Sequence, residues 1–132
     1  MKTGSCLCGA VKFEINGPMG PVTACHCTQC RKMTGNYWAS FHVADADLNM
    51  IKSDGLQWFT SSDFAKRGFC KECGSTLFWK QNGSRETSVC PGSIDGKTGL
   101  TLTKHIFVED AGDYYEIAGG QFTTPLKTQV GK

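Results

Sequence analysis

Seven of the eight cysteines in this 132-residue chain fall into three tight clusters. The first is Cys6-Leu7-Cys8 followed by Gly9, and the last is Cys70-Lys71-Glu72-Cys73 followed by Gly74. A tetrahedral zinc with bonds of about 2.3 Å needs sulfurs only about 3.8 Å apart. A Cys-x-x-Cys turn meets that locally, and a bend in Cys-x-Cys does the same, because its two side chains leave one face of an extended segment. A glycine after the second cysteine can take positive φ and turn backbone N–H groups toward the sulfurs. Cys6, Cys8, Cys70 and Cys73 are thus predicted to close one structural zinc site, with Lys66, Arg67 and Lys71 offsetting its negative charge.

The middle cluster, Cys25-His26-Cys27-Thr28-Gln29-Cys30, offers three thiols and no obvious fourth cysteine. Three protein ligands with one open position is the arrangement of catalytic zinc, which can ionise a bound water or thiol near neutrality. His26 competes as a fourth ligand. In an extended segment, however, its side chain leaves the face opposite Cys25 and Cys27, which places it outside the ligand set. A site closed by His26 and a cluster without metal, empty or oxidised, are the alternatives. Cys90 stands alone at a strand end and reads as a small buried hydrophobe. His42 and His105 read as strand histidines, and His105 keeps a possible role beside an active site.

The elements that position these groups are short. Val11, Phe13 and Ile15 alternate with Lys12 and Glu14, the pattern of a half-buried strand. Tyr37 to Val43, Thr76 to Lys80, the region around Ser88 and Val89, and Leu102 to Val108 read as further strands. Thr28 to Met33 and Asp45 to Asn49 read as short helical turns. Sixteen glycines are spread along the chain, and there is no repeat or long 3.6-residue stripe. A mainly β, single-domain chain over 1–132 follows, with metal staples compensating for a modest core.

Composition narrows the partners. Fourteen basic and twelve acidic residues give a net charge of +2, too small a bias to predict nucleic-acid binding. Apolar runs stop at three residues, as in Leu77-Phe78-Trp79, so no membrane-spanning helix is expected. The start Met1-Lys2-Thr3-Gly4-Ser5 has no apolar leader pattern, which predicts a cytoplasmic, reduced chain whose clustered cysteines bind metal rather than form disulfides.

Three blocks in order, Gly4-Ser5-Cys6-Leu7-Cys8-Gly9, Cys25-His26-Cys27 to Cys30-Arg31, and Arg67-Gly68-Phe69-Cys70 to Cys73-Gly74-Ser75, resemble the glutathione-dependent formaldehyde-activating enzyme family, whose domain is shared with the centromere protein V group. Gly92-Ser93-Ile94-Asp95 and His105-Ile106-Phe107-Val108 resemble its later blocks. The resemblance implies an Mss4-like fold of several coiled antiparallel β-sheets stapled by zinc. It implies two zinc ions per chain, a structural one on Cys6, Cys8, Cys70 and Cys73 and a catalytic-type one on Cys25, Cys27 and Cys30; the open coordination of the second would let it lose metal readily, so that site can also stand empty. It further implies a carbon–sulfur lyase that joins glutathione to formaldehyde as S-hydroxymethylglutathione. The competing reading is a non-catalytic binding module or thiol carrier on the same fold. A methionine sulfoxide reductase ranks lower, since it expects two Cys-x-x-Cys pairs.

Overall fold

The computed structural model describes residues 1–117 and the backbone of 121–123; the rest of the single-domain span expected over 1–132 lies outside the described residues. Among the described residues, eleven strands and one short α-helix follow one another. They are β1 (Lys2–Ser5), β2 (Lys12–Ile15), β3 (Val22–Cys25), α1 (Thr28–Thr34), β4 (Trp38–Ala44), β5 (Leu48–Lys52), β6 (Leu56–Thr60), β7 (Ala65–Cys70), β8 (Thr76–Gln81), β9 (Glu86–Val89), β10 (Leu102–Ile106) and β11 (Gln121–Thr123). The chain is mainly β, as the short alternating stretches predict, with a three-stranded sheet ordered β1-β2-β5 and an eight-stranded sheet ordered β11-β10-β3-β4-β9-β8-β7-β6. Pairing is antiparallel except at one edge, where β10 runs parallel to both β3 and β11. The β9–β10 connection skips the two strands, β4 and β3, that lie between its ends in the sheet, so no hairpin constrains its direction.

The core lies between the two sheets. Phe13 and Ile15 turn inward from β2 while Lys12 and Glu14 face out, the period of two expected of a strand with one covered face. Phe13 meets Phe78 of β8 edge-on, with ring centroids 5.3 Å apart. Phe41, Val43, Leu77 and Val89 complete the layer, and each is almost wholly buried. Cross-strand pairing aligns Phe41 with Val89 and Val89 with Phe78. Phe78 in turn aligns with Gly68. A side chain at Gly68 would collide with Trp58 and Phe78, whose rings stack above it.

The opposite face of the large sheet carries a different row. Cys25 pairs with Trp38, His42 with Ser88, Ser88 with Trp79, and Trp79 with Arg67. Alternation along β4 sends Phe41 and Val43 into the core and Trp38, Ser40 and His42 to this second face. Trp38 is buried there with Cys25, Cys27, Cys30 and Phe107 in a separate cluster. Helix α1 covers it. The helix starts where the Cys27 sulfur accepts from the Cys30 N–H (3.3 Å), and ends where Gly35, at φ +84°, donates its N–H to Arg31 O.

The helix expected at 28–33 is present. Asp45 to Asn49 divides into a 3₁₀ turn over Asp45–Asp47 and the start of β5. Strands β5 and β6 escape the period-two reading because partly or fully exposed positions interrupt it, among them Ile51 at 55% and Phe59 at 53% exposure.

Candidate metal centres and the cavity beside them

The two outer cysteine pairs meet in space. Cys6 and Cys8 lie on the turn after β1, Cys70 ends β7, and Cys73 sits on the β7–β8 turn. The Cys6–Cys8 and Cys8–Cys70 sulfur separations are both 3.7 Å, the edge of a tetrahedron with bonds of about 2.3 Å. All four sulfurs lie within 4.8 Å of one another, a set that could hold a metal ion. Gly9 and Gly74 take φ of +84° and +82°, as the turns require. The Val11 N–H donates to Cys6 Sγ at 3.3 Å. Hydrogen bonding to Ser75 draws the Cys73 thiol down to about 5.

The middle cluster forms a second, separate site. Cys25, Cys27 and Cys30 bring three buried sulfurs within 4.8 Å, and among the described residues no fourth ligand joins them. Cys25 comes from the end of β3, and Cys27 and Cys30 from the cap and first turn of α1. Hydrogen bonds with Cys25 and Cys30 hold Cys27 far below the usual thiol range. Burial opposes the shift, while the Cys30 N–H and the Arg67 charge add to it. The same thiol pairing, with burial, pushes Cys25 up. Cys30 is raised too, to about 11, so the cluster on its own favours a single thiolate, at Cys27; it is the convergence of three sulfurs that suits a divalent cation.

His26 points away from the sulfurs, as side-chain parity in Cys25-His26-Cys27 requires. Its Nδ1 lies 2.8 Å from the Tyr115 hydroxyl and its Nε2 lies 3.0 Å from His105 Nδ1. Burial, then the nearby His105, lowers its pKa. His105 is buried beside it, whereas His42 is exposed and reaches Ser88 Oγ at 3.3 Å. Cys90 is half-buried, joins neither cluster, and has its pKa raised by burial.

Arg67 overturns a sequence-based expectation. Expected beside Cys70, offsetting the charge of the four-cysteine site, it is instead only 1% exposed and lies against the other cluster. Its Nε donates to Gln29 Oε1 at 2.6 Å and its Nη2 to Cys30 Sγ at 3.3 Å. Its guanidinium carbon sits 5.6 Å from the Trp38 ring centroid. Gln29 is itself tied to Ser61 O at 3.1 Å, so α1 is fastened to the β6–β7 turn through this group. The signal that could have found it is strand parity: Ala65 and Arg67 share a side of β7 opposite Lys66. A cavity of about 120 Å³ opens here, walled by Cys25, Cys30, Trp38, Arg67, Trp79 and Ile106 among others.

No helix among the described residues is long and apolar enough to cross a membrane. The sequence profile described as glutathione-dependent formaldehyde-activating enzyme matches residues 1–110. An uncharacterized lyase of Schizosaccharomyces pombe is 27% identical over 116 residues, covering 87% of this chain and 84% of that protein. A Halomonas elongata protein named for glutathione-dependent formaldehyde activation is 34% identical over 88 residues. That match covers 57% of this chain, and the chain spans only 53% of that protein's length. The crystal structure of a Rhodobacter sphaeroides protein superposes with a TM-score of 0.63 at 22% identity, over 92% of this chain and 99% of that one, which shows a shared fold.

Proposed function

The chain belongs to the glutathione-dependent formaldehyde-activating enzyme family, and from that premise we propose that it is a zinc-dependent carbon–sulfur lyase. It forms or cleaves an adduct between a small thiol and an aldehyde, with glutathione and formaldehyde as first candidates. One observation carries the reading: of three converging buried thiols, two, Cys25 and Cys30, form part of a cavity wall, while a second set of four thiols is complete without them. The lyase and formaldehyde-activating names of the relatives support the same class.

In this reading Cys6, Cys8, Cys70 and Cys73 hold a structural zinc that staples the β1 turn to the β7–β8 turn. Cys25, Cys27 and Cys30 hold the second. A zinc there supplies Lewis acidity that keeps a thiol ionised near neutral pH. The chain's own groups set the stage for that. Arg67 places a positive charge against Cys30 and fixes its sulfur, and Gln29 holds the guanidinium in register. Such chemistry suits a reducing compartment such as the cytoplasm.

A second reading, a non-catalytic binding module or thiol carrier, draws on an apolar shelf of Met33, Trp58, Phe59 and Phe69. Cys27→Ser separates the two. Serine can still cap α1 by accepting from the Cys30 N–H, so the fold is retained. Formation of S-hydroxymethylglutathione above the uncatalysed background, followed by NMR, should fall about 100-fold or more, by analogy with the penalties seen for disturbed metal sites. Unchanged turnover in a folded Cys27→Ser protein would remove the catalytic role of the triad.

A further inference from the structure

The cavity beside the thiol triad has a wall that neither the thiols nor the fold account for. Among the described residues, three N–H groups of its lining side chains lack an acceptor: Arg67 Nη1, Trp38 Nε1 and Trp79 Nε1. Arg67 is 1% exposed and Trp38 6%, so bulk water does not solvate them. Buried donors are nearly always paired in native proteins, and an acceptor inside the cavity removes the cost of leaving them unpaired. The guanidinium is not free to seek a partner elsewhere, because Gln29 and Cys30 hold its other nitrogens. Among the described residues no carboxylate forms an ion pair with it.

We propose that this cavity is the subsite for the carbonyl partner of the thiol, with the carbonyl oxygen held by Arg67, Trp38 and Trp79. The proposal rests on the thiol–aldehyde reading above and adds the substrate's size. At about 120 Å³ the cavity is somewhat smaller than one of about 150 Å³ that holds one benzene, so it takes a molecule of about five heavy atoms. A tripeptide does not fit, and formaldehyde alone leaves most of the space unused. An aldehyde of about two or three carbons fills it. Thr23, Ser40 and Ser88 add hydroxyls to the lining for a second oxygen, so an α-oxygenated aldehyde suits it best. As the thiolate lone pair forms the carbon–sulfur bond, the carbonyl π pair moves onto oxygen, where the three N–H groups face the growing charge. A proton from water then completes the hydroxyl.

Acetamide, an unreactive carbonyl of similar size, tests this on the zinc-loaded protein labelled with ¹⁵N at tryptophan. The chain has three tryptophans, and Trp58 stacks on Phe78 on the other face of the sheet, which makes it an internal reference. The indole N–H resonances of Trp38 and Trp79 should shift saturably while that of Trp58 stays still. Replacing Arg67 would also unfasten Gln29 and Cys30, so the second variant is Trp79→Phe, which keeps the ring bulk and removes one donor. It should weaken acetamide binding about tenfold. Static Trp38 and Trp79 resonances, equal movement of all three, or unchanged binding in Trp79→Phe would each overturn the proposal. Because the titration needs no turnover, turnover of formaldehyde without these shifts defeats the subsite alone. Selective shifts in a protein without thiol–aldehyde activity leave the acceptor subsite standing and defeat the reaction.

Discussion

Gly55→Ala should damage the four-thiol cluster without touching a cysteine. Gly55 is buried in the turn between β5 and β6, and its N–H donates to Ala10 O at 3.0 Å while its carbonyl accepts from Lys71 N at 2.8 Å. A Cβ built there would sit 2.8 Å from both Ala10 Cβ and Cys70 Sγ. Ordinary contacts begin near 3.4 Å, so either sulfur or turn must yield by about 0.6 Å, and the two backbone hydrogen bonds resist the turn's retreat. Overpacking of this kind costs about 1–3 kcal/mol. The smaller entropy of an unfolded alanine returns roughly 0.4–1 kcal/mol. The net, about 1–2 kcal/mol, corresponds to a fall in Tm of roughly 3–10 °C for a chain this size. Circular dichroism melts read that directly. Chelator competition should show metal leaving the displaced Cys70 site about tenfold more readily. A variant that melts within about 1 °C of the parent and resists chelator equally would show that close approach to Cys70 has no energetic weight.

Cys73→Ser removes one of four proposed ligands, and because metal binding there is folding free energy, the domain should lose several kcal/mol and bind one zinc fewer. A melt like that of the parent would remove the structural role of the cluster. Asp45 accepts from Thr87 Oγ1 at 2.6 Å and pairs with Lys80. Burial opposes its ionisation, but the Lys80 and Thr87 hydrogen bonds prevail and hold the carboxyl below its ordinary value. Its contribution is therefore present above about pH 4 and lost as the pH falls through the lowered folded value. With 44% of the side chain exposed, Asp45→Asn should cost only about 0.2–1 kcal/mol at neutral pH. Melts of both proteins should converge as the pH falls below about 4; a gap that widens on acidification would contradict the assignment.

The candidate site was legible in the sequence where residue type and local spacing decide it. The Cys-x-Cys and Cys-x-x-Cys pairs announce sulfurs that converge, and glycines after them announce the turns, found at φ +84° and +82°. His26 was readable from parity alone, since alternation sends it away from Cys25 and Cys27 and onto Tyr115 and His105. Tyr115 itself carried no such signal, lying 89 positions away. Arg67 is not legible locally, because it follows another basic residue, Lys66, while its burial depends on Gln29, 38 positions earlier, and on cross-strand pairing with Trp79. The parallel pairing of β10 with β3 was likewise invisible, because register between distant strands is set by the faces they bury rather than by either strand's pattern. Local chemistry is written locally, and what the sheet assembles from afar is not.

The chain carries two unlike thiol sites, one set of four cysteines and one of three with no fourth ligand among the described residues. Native mass spectrometry of protein purified in reducing, zinc-supplemented buffer, taken through graded chelator and followed by thiol alkylation and peptide mapping, tests it directly. Two zinc ions are expected, the first lost under mild chelator, with alkylation then appearing at Cys25, Cys27 and Cys30 while Cys6, Cys8, Cys70 and Cys73 stay protected. A single zinc, or alkylation that begins at the four-cysteine cluster, would contradict it.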